Sequence, residues 1–129
     1  MGWTTYRGRR AFQLENEALR IVVTAEGGHL AQVTHKETGV SPLWTPPWPT
    51  IEPSQYKPAT HAEYGDSQEA LVLAGILGHS LCLDTYGAPS PEEAAAGVPI
   101  HGEALSAVYE RWNNRPHVSG CRPSSRWRS

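Results

Sequence analysis

Apolar positions in the first forty residues come in short runs, and the runs alternate. Phe12-Gln13-Leu14 and Ala18-Leu19-Arg20-Ile21-Val22-Val23-Thr24 are rich in β-branched and aromatic residues, the pattern of half-buried strands. The Asn16-Glu17 step between them suits a turn. Glu26-Gly27-Gly28 breaks the chain before a third run, His29 to Thr34, in which Leu30, Gln32 and Thr34 are expected on one face and Ala31, Val33 and His35 on the other. Lys36-Glu37-Thr38-Gly39 reads as a turn, and Val40 to Trp44 as a resumed extended path. The pattern predicts an antiparallel meander.

Beyond it the periodicity changes. Pro42, Pro46, Pro47, Pro49, Pro53 and Pro58 exclude a central strand, because each lacks the N–H that a ladder requires. Trp44, Trp48 and Tyr56 are interleaved with them, so this segment is an ordered aromatic loop. Its rings either plug one end of the fold or offer a flat surface on which a pyranose can stack. Gln68 to Leu77 is apolar enough for a short helix or a buried strand, and periodicity does not separate the two. Ser90-Pro91-Glu92-Glu93-Ala94-Ala95-Ala96-Gly97 is better determined: a hydroxyl N-cap, proline in the first turn, two acids at the positive end, alanines, then a glycine stop.

At 129 residues the chain is sized for one domain, and its eleven prolines and twelve glycines favour a loop-rich, mainly β fold. No apolar run approaches the roughly 18 residues of a membrane span, and the first residues lack the apolar stretch of a secretory signal. The expectation is a cytoplasmic protein without membrane contact. Charge divides the chain. Residues 1–110 carry six basic residues against all thirteen acids, while 111–129 carry five arginines and no acid. The expected organisation is therefore a β domain over 1–110 and a basic tail over 111–129, disordered or non-native, such as a frameshifted or truncated end. A nucleic-acid role for that arginine- and tryptophan-bearing tail is the alternative set aside.

Six histidines raise the question of a metal, but no His-x-x-x-His or Cys-x-x-Cys is present. Convergence of His29, His79 and His101 in a cupin-like metal-dependent enzyme stays open. Cys82 is expected as a small buried hydrophobe. Phosphate-loop and Gly-x-Ser-x-Gly fingerprints are both absent.

Phe12 to Asn16, Leu19 to Val23, Gly27-Gly28-His29-Leu30 and Gly39 to Trp44, followed by Val98-Pro99-Ile100-His101-Gly102-Glu103-Ala104, resemble the N-terminal strands and His-Gly step of the aldose 1-epimerase, or galactose mutarotase-like, families. The resemblance covers roughly residues 10–110. It implies an antiparallel β-sandwich (the N-terminal part of a supersandwich), carbohydrate binding, and an isomerase of carbohydrate metabolism that interconverts sugar anomers without a cofactor. Such a reaction needs an acid at the ring oxygen and a base at the anomeric hydroxyl. By position, His101 matches the family's first histidine, a substrate contact or acid. His79, Glu103, Trp44 and Trp48 complete the expected sugar-binding set, with Glu103 orienting His101 if the segment is a strand. The family's second histidine and its carboxylate base would lie beyond Ser129, and the arginine that precedes the first histidine is missing, its place taken by Gly78-His79. Catalysis is thus expected to be incomplete, and a non-catalytic sugar-binding or structural β module is the alternative. A sheet without its second layer also predicts homo-oligomers through exposed edges.

Overall fold

The computed structural model describes residues 1–83 and 85–110. The basic tail over 111–129, with Cys121, lies outside the described residues. Four strands, β1 (Gly2–Tyr6), β2 (Arg9–Glu15), β3 (Leu19–Thr24) and β4 (Leu30–His35), form one antiparallel sheet in sequential order. The fold is mainly β, with short helices α1 (Ala70–Gly75) and α2 (Pro91–Ala95) and three single 3-10 turns.

The meander extends one strand further than the apolar runs predicted. Trp3-Thr4-Thr5-Tyr6 pairs with Arg9 to Phe12 across the two-residue turn Arg7-Gly8. Both turn residues have positive φ, 50° and 82°. That conformation matches the twist of adjoining strands, and glycine adopts it without strain. In the next turn, Asn16 accepts the amides of Ala18 and Leu19 on Oδ1 at 2.9 and 2.8 Å. Between β3 and β4, Thr24 Oγ1 donates to the Glu26 carbonyl and accepts the His29 amide, while Gly27 and Gly28 take positive φ.

The register shifts between Val22 and Val23, which pair with Gln32 and Leu30 and leave Ala31 as the extra residue. The alternation expected for β4 is broken there. Ala31 packs into the core with Ala11, Val22 and Leu77, whereas Val33 pairs with Ile21 on the opposite face. No strand forms from Val40 to Trp44.

One sheet face is covered by Leu77, just after α1, and by the proline-rich loop. Arg9, fully buried, supplies the tie: Nε donates to Glu52 Oε2 at 3.1 Å, Nη1 to the Gly75 carbonyl and Nη2 to the Glu26 carbonyl at 2.8 Å. Glu52 Oε1 also accepts the Arg10 amide at 2.6 Å. Two further ties flank it. Arg7 donates to the carbonyls of Pro46 and Trp48, and Glu26 accepts the amide and hydroxyl of Ser54. A loop too rich in proline to pair as a strand is held to the sheet by side chains instead. The other face presents Trp3, Leu14, Leu19, Ile21, Val23 and Val33, of which Trp3 is 46% exposed and Leu14 37%.

Gln68 to Leu77 resolves as the six-residue helix α1. Ala70 and Ala74, one turn apart, bury against Tyr64 beside Trp48, Ile51 and Tyr56. Helix α2 forms as the sequence indicates. Ser90 Oγ accepts the Glu93 amide, the Glu93 carboxylate accepts the Ser90 amide, Pro91 opens the helix and Gly97 follows at φ 91°. No helix among the described residues is long and apolar enough to cross a membrane.

Candidate functional site

An open cleft of about 520 Å³ lies between the aromatic loop, the turn Ala62–Tyr64 and α1. Trp48, Ile51, Tyr64 and Leu73 give it apolar walls, and His61 and Glu63 give it polar ones. Local chain chemistry builds each wall. Trp48 Nε1 donates to the Leu73 carbonyl at 3.0 Å, and the Tyr64 hydroxyl to the Pro49 carbonyl at 2.9 Å. The polar tips of both aromatics are therefore spent on backbone, leaving ring carbon as their contribution to the cleft. His61 stacks near Tyr56, with ring centroids 6.0 Å apart and planes at 25°. Its Nδ1 accepts the Lys57 amide at 3.0 Å. In the neutral ring that bond places the proton on Nε2, so His61 offers a donor. Glu63 is exposed and its carboxylate makes no hydrogen bond or ion pair with the described residues. Tyr64 has its pKa raised, first by desolvation and then by the charge of Glu63.

Of the expected sugar-binding residues, Trp48 lines this cleft. Trp44 meets Trp48 edge-on at 5.7 Å and is half exposed. The remaining three are placed elsewhere. His101 is tied to Gly87 in both directions: its amide donates to the Gly87 carbonyl at 2.8 Å, and its Nδ1 accepts the Gly87 amide at 3.1 Å. Tyr86 packs edge-on against it at 5.6 Å. His79 pairs through its backbone with Leu30 at the edge of β4, with its side chain outward. Glu103 is exposed and opens the 3-10 turn Glu103–Leu105. The strand on which Glu103 was to share a face with His101 does not exist. His101 and Gly102 both have positive φ, 62° and 78°, and two such residues in succession cannot continue a strand. Gly102 passes so close to the Leu83 carbonyl that a Cβ would lie 1.6 Å from its oxygen. Cys82 is half-buried rather than buried, with Sγ 3.7 Å from His101 Nδ1.

His29 occupies a third setting, in the core. Nδ1 faces both the amide and the carbonyl of Leu77, at 3.2 and 3.3 Å, and Nε2 has no hydrogen-bond partner. The adjoining void, lined in part by Gly102, Leu105 and Ser106, holds about 10 Å³, at the lower limit for one water. Burial pushes the His29 pKa down to about 4. Arg9's charge adds to that shift, and the Leu77 and Leu105 carbonyls oppose it. His29, His79 and His101 thus do not assemble a cupin-like centre. Among the described residues no group of three or more His, Cys, Asp or Glu side chains is placed to hold a metal ion.

Sequence reasoning passed over Glu63 and Tyr64 and singled out His61 only as one of six histidines. The available signal was His61-Ala62-Glu63-Tyr64 itself, an imidazole, a carboxylate and a phenol within four residues of a tight turn, directly after the aromatic loop. No family profile, characterised protein or solved structure matches this chain.

Proposed function

We propose that this chain is a carbohydrate-binding β module whose sugar site is the Trp48–Tyr64 cleft. The supporting observation is the division of labour there: two aromatic side chains with their polar ends already satisfied, beside one imidazole donor and one carboxylate that have no hydrogen-bond partner among the described residues. A pyranose presents a C–H face to aromatic carbon and hydroxyls that both donate and accept, so it uses all three features. In this reading the four-stranded sheet is one layer of a galactose mutarotase-like sandwich, and its apolar outer face and the β1 edge are where a second layer or a second copy packs.

Titration with methyl α-glucoside and methyl α-galactoside, followed on the Trp48 indole N–H resonance, tests the site. Saturable shifts are expected. Trp48→Ala is expected to weaken binding on the order of tenfold, with Trp48→Phe retaining most of it and Trp44→Ala costing less. Shifts spread evenly over all indoles, or binding unaltered in Trp48→Ala, would refute the site.

One observation favours a second reading, aldose 1-epimerase-like catalysis. The Gly87 amide fixes Nδ1 of His101 as acceptor, so Nε2 of the neutral ring carries the proton that a sugar ring oxygen would receive. Polarimetry on freshly dissolved α-glucose decides it. Acceleration that disappears in His101→Ala supports catalysis, and an unchanged drift leaves the module as a binder.

A further inference from the structure

The cleft has a sign. Its polar wall carries the Glu63 carboxylate, and among the described residues none that lines it is Lys or Arg. The Arg7 guanidinium donates to the Pro46 and Trp48 carbonyls and does not line the cleft. Lys57 engages His61 through its backbone amide. The portion of the chain up to residue 110 carries seven more acids than basic residues. A phosphorylated or uronic sugar would meet a like charge with no basic partner on the lining. An ammonium group would meet a carboxylate that has no other hydrogen-bond or ion-pair partner among the described residues, beside two aromatic rings whose electron-rich faces attract cations.

Building on the carbohydrate-binding reading above, we infer that the cleft discriminates by ligand charge, preferring an amino sugar, with its ammonium at Glu63 between Trp48 and Tyr64, over neutral and anionic hexoses. The Trp48 and Tyr64 ring carbons take the C–H face of the pyranose, and His61 Nε2–H donates to a hydroxyl. Glu63 accepts from the ammonium where a neutral hexose offers only a hydroxyl. The gain is that of a solvent-accessible charge pair and cation–π contact, on the order of fivefold in affinity.

The test is competition among three ligands on the full chain at neutral pH, where the amine is mostly charged: methyl glucosaminide, methyl glucoside and glucose 6-phosphate, read on the Trp48 indole resonance. The glucosaminide is expected to bind about fivefold tighter than the glucoside, and the phosphate more weakly than either. Glu63→Gln, a change at an exposed position, is expected to bring glucosaminide and glucoside to parity, with the glucoside losing far less than the glucosaminide because the amide oxygen still accepts from a hydroxyl. Added salt is expected to narrow the gap in the unmodified protein. Equal affinities for glucoside and glucosaminide in the unmodified protein would overturn the charge preference and leave the carbohydrate site standing. Failure of all three sugars to bind would remove both. Tight binding of the phosphate would overturn the preference and call for a cation that the cleft lining lacks.

Discussion

The sheet and the loop that covers it solve the same problem in opposite ways. In the sheet, polar backbone groups are satisfied by neighbouring strands, and side chains are free to pack by alternation. In the loop from Pro42 to Pro58, proline removes that option, and order comes from the carbonyls and the carboxylate that it offers to Arg7 and Arg9 and from the Ser54 amide and hydroxyl that it offers to Glu26. A ladder spreads its stability over many equivalent bonds. The loop concentrates its stability at the Arg9–Glu52 pair, where one buried guanidinium reaches the loop, the end of α1 and the β3–β4 turn. A cleft built on such a loop depends on that pair as well as on its own wall bonds, Trp48 to Leu73 and Tyr64 to Pro49.

The largest effect should therefore come from removing Arg9. Burial lowers its pKa, opposed by Glu52 and Glu26, yet a guanidinium stays charged at any working pH. Arg9→Met leaves Glu52 without its partner in a buried setting, and a loss of about 3–5 kcal/mol is expected in urea-induced unfolding. The double variant Arg9→Met with Glu52→Leu is expected to recover part of it, since no charge is then stranded. Recovery stops short because Glu52 Oε1 also accepts the Arg10 amide. If Arg9→Met unfolds no more easily than the parent, the loop is held by something other than this pair.

The second effect separates core from cleft by pH. His29 is 1% exposed and its pKa is lowered to about 4 in the fold. Its unfolded value is about 6.5, so the unfolded chain binds the proton first. Stability from this group is complete above pH 6.5 and falls as pH drops toward 4, by about 3 kcal/mol in all. The groups around it are Arg9, which opposes a second positive charge, and the Leu77 and Leu105 carbonyls, which favour it. Denaturation midpoints measured across that window should slope downward toward acid, and His29→Gln should flatten the slope. A slope that survives the substitution would assign the proton to another group.

How much of this was legible follows from the same contrast. The meander, the Asn16 turn and the capped helix α2 were readable because each rests on residues close in sequence. β1 was equally local, since Thr4-Thr5-Tyr6 before Arg7-Gly8 is a strand and turn signal in its own right. The break in β4 at Ala31 was not legible, because the register is set across strands. Nor were the ties of Arg9 to Glu52 and Glu26 to Ser54, which join residues tens of positions apart and leave no spacing rule behind. For the site, the proline-and-aromatic loop was legible as a break from the strands, and Trp48 of that loop lines the cleft. The His101-Gly102-Glu103 motif misled as to local structure, since the close pass of Gly102 against Leu83 that forces the turn lies outside the motif.

The smallest effect tests where the contrast ends. Helix α2 buries none of its residues, so its order is local rather than borrowed from the core. Ser90→Ala removes the hydroxyl that accepts the Glu93 amide and unmakes one half of the capping box. Loss of such a cap costs a helix about 1 kcal/mol, and here that cost should stay in the helix. Hydrogen exchange at the Glu93, Ala94 and Ala96 amides is expected to quicken on the order of fivefold. The urea midpoint of the whole chain should hardly move, because unfolding α2 exposes no core surface. A matching loss in global stability would mean that α2 is coupled to the sheet, and that the loop half of the molecule draws on more than the Arg9 pair.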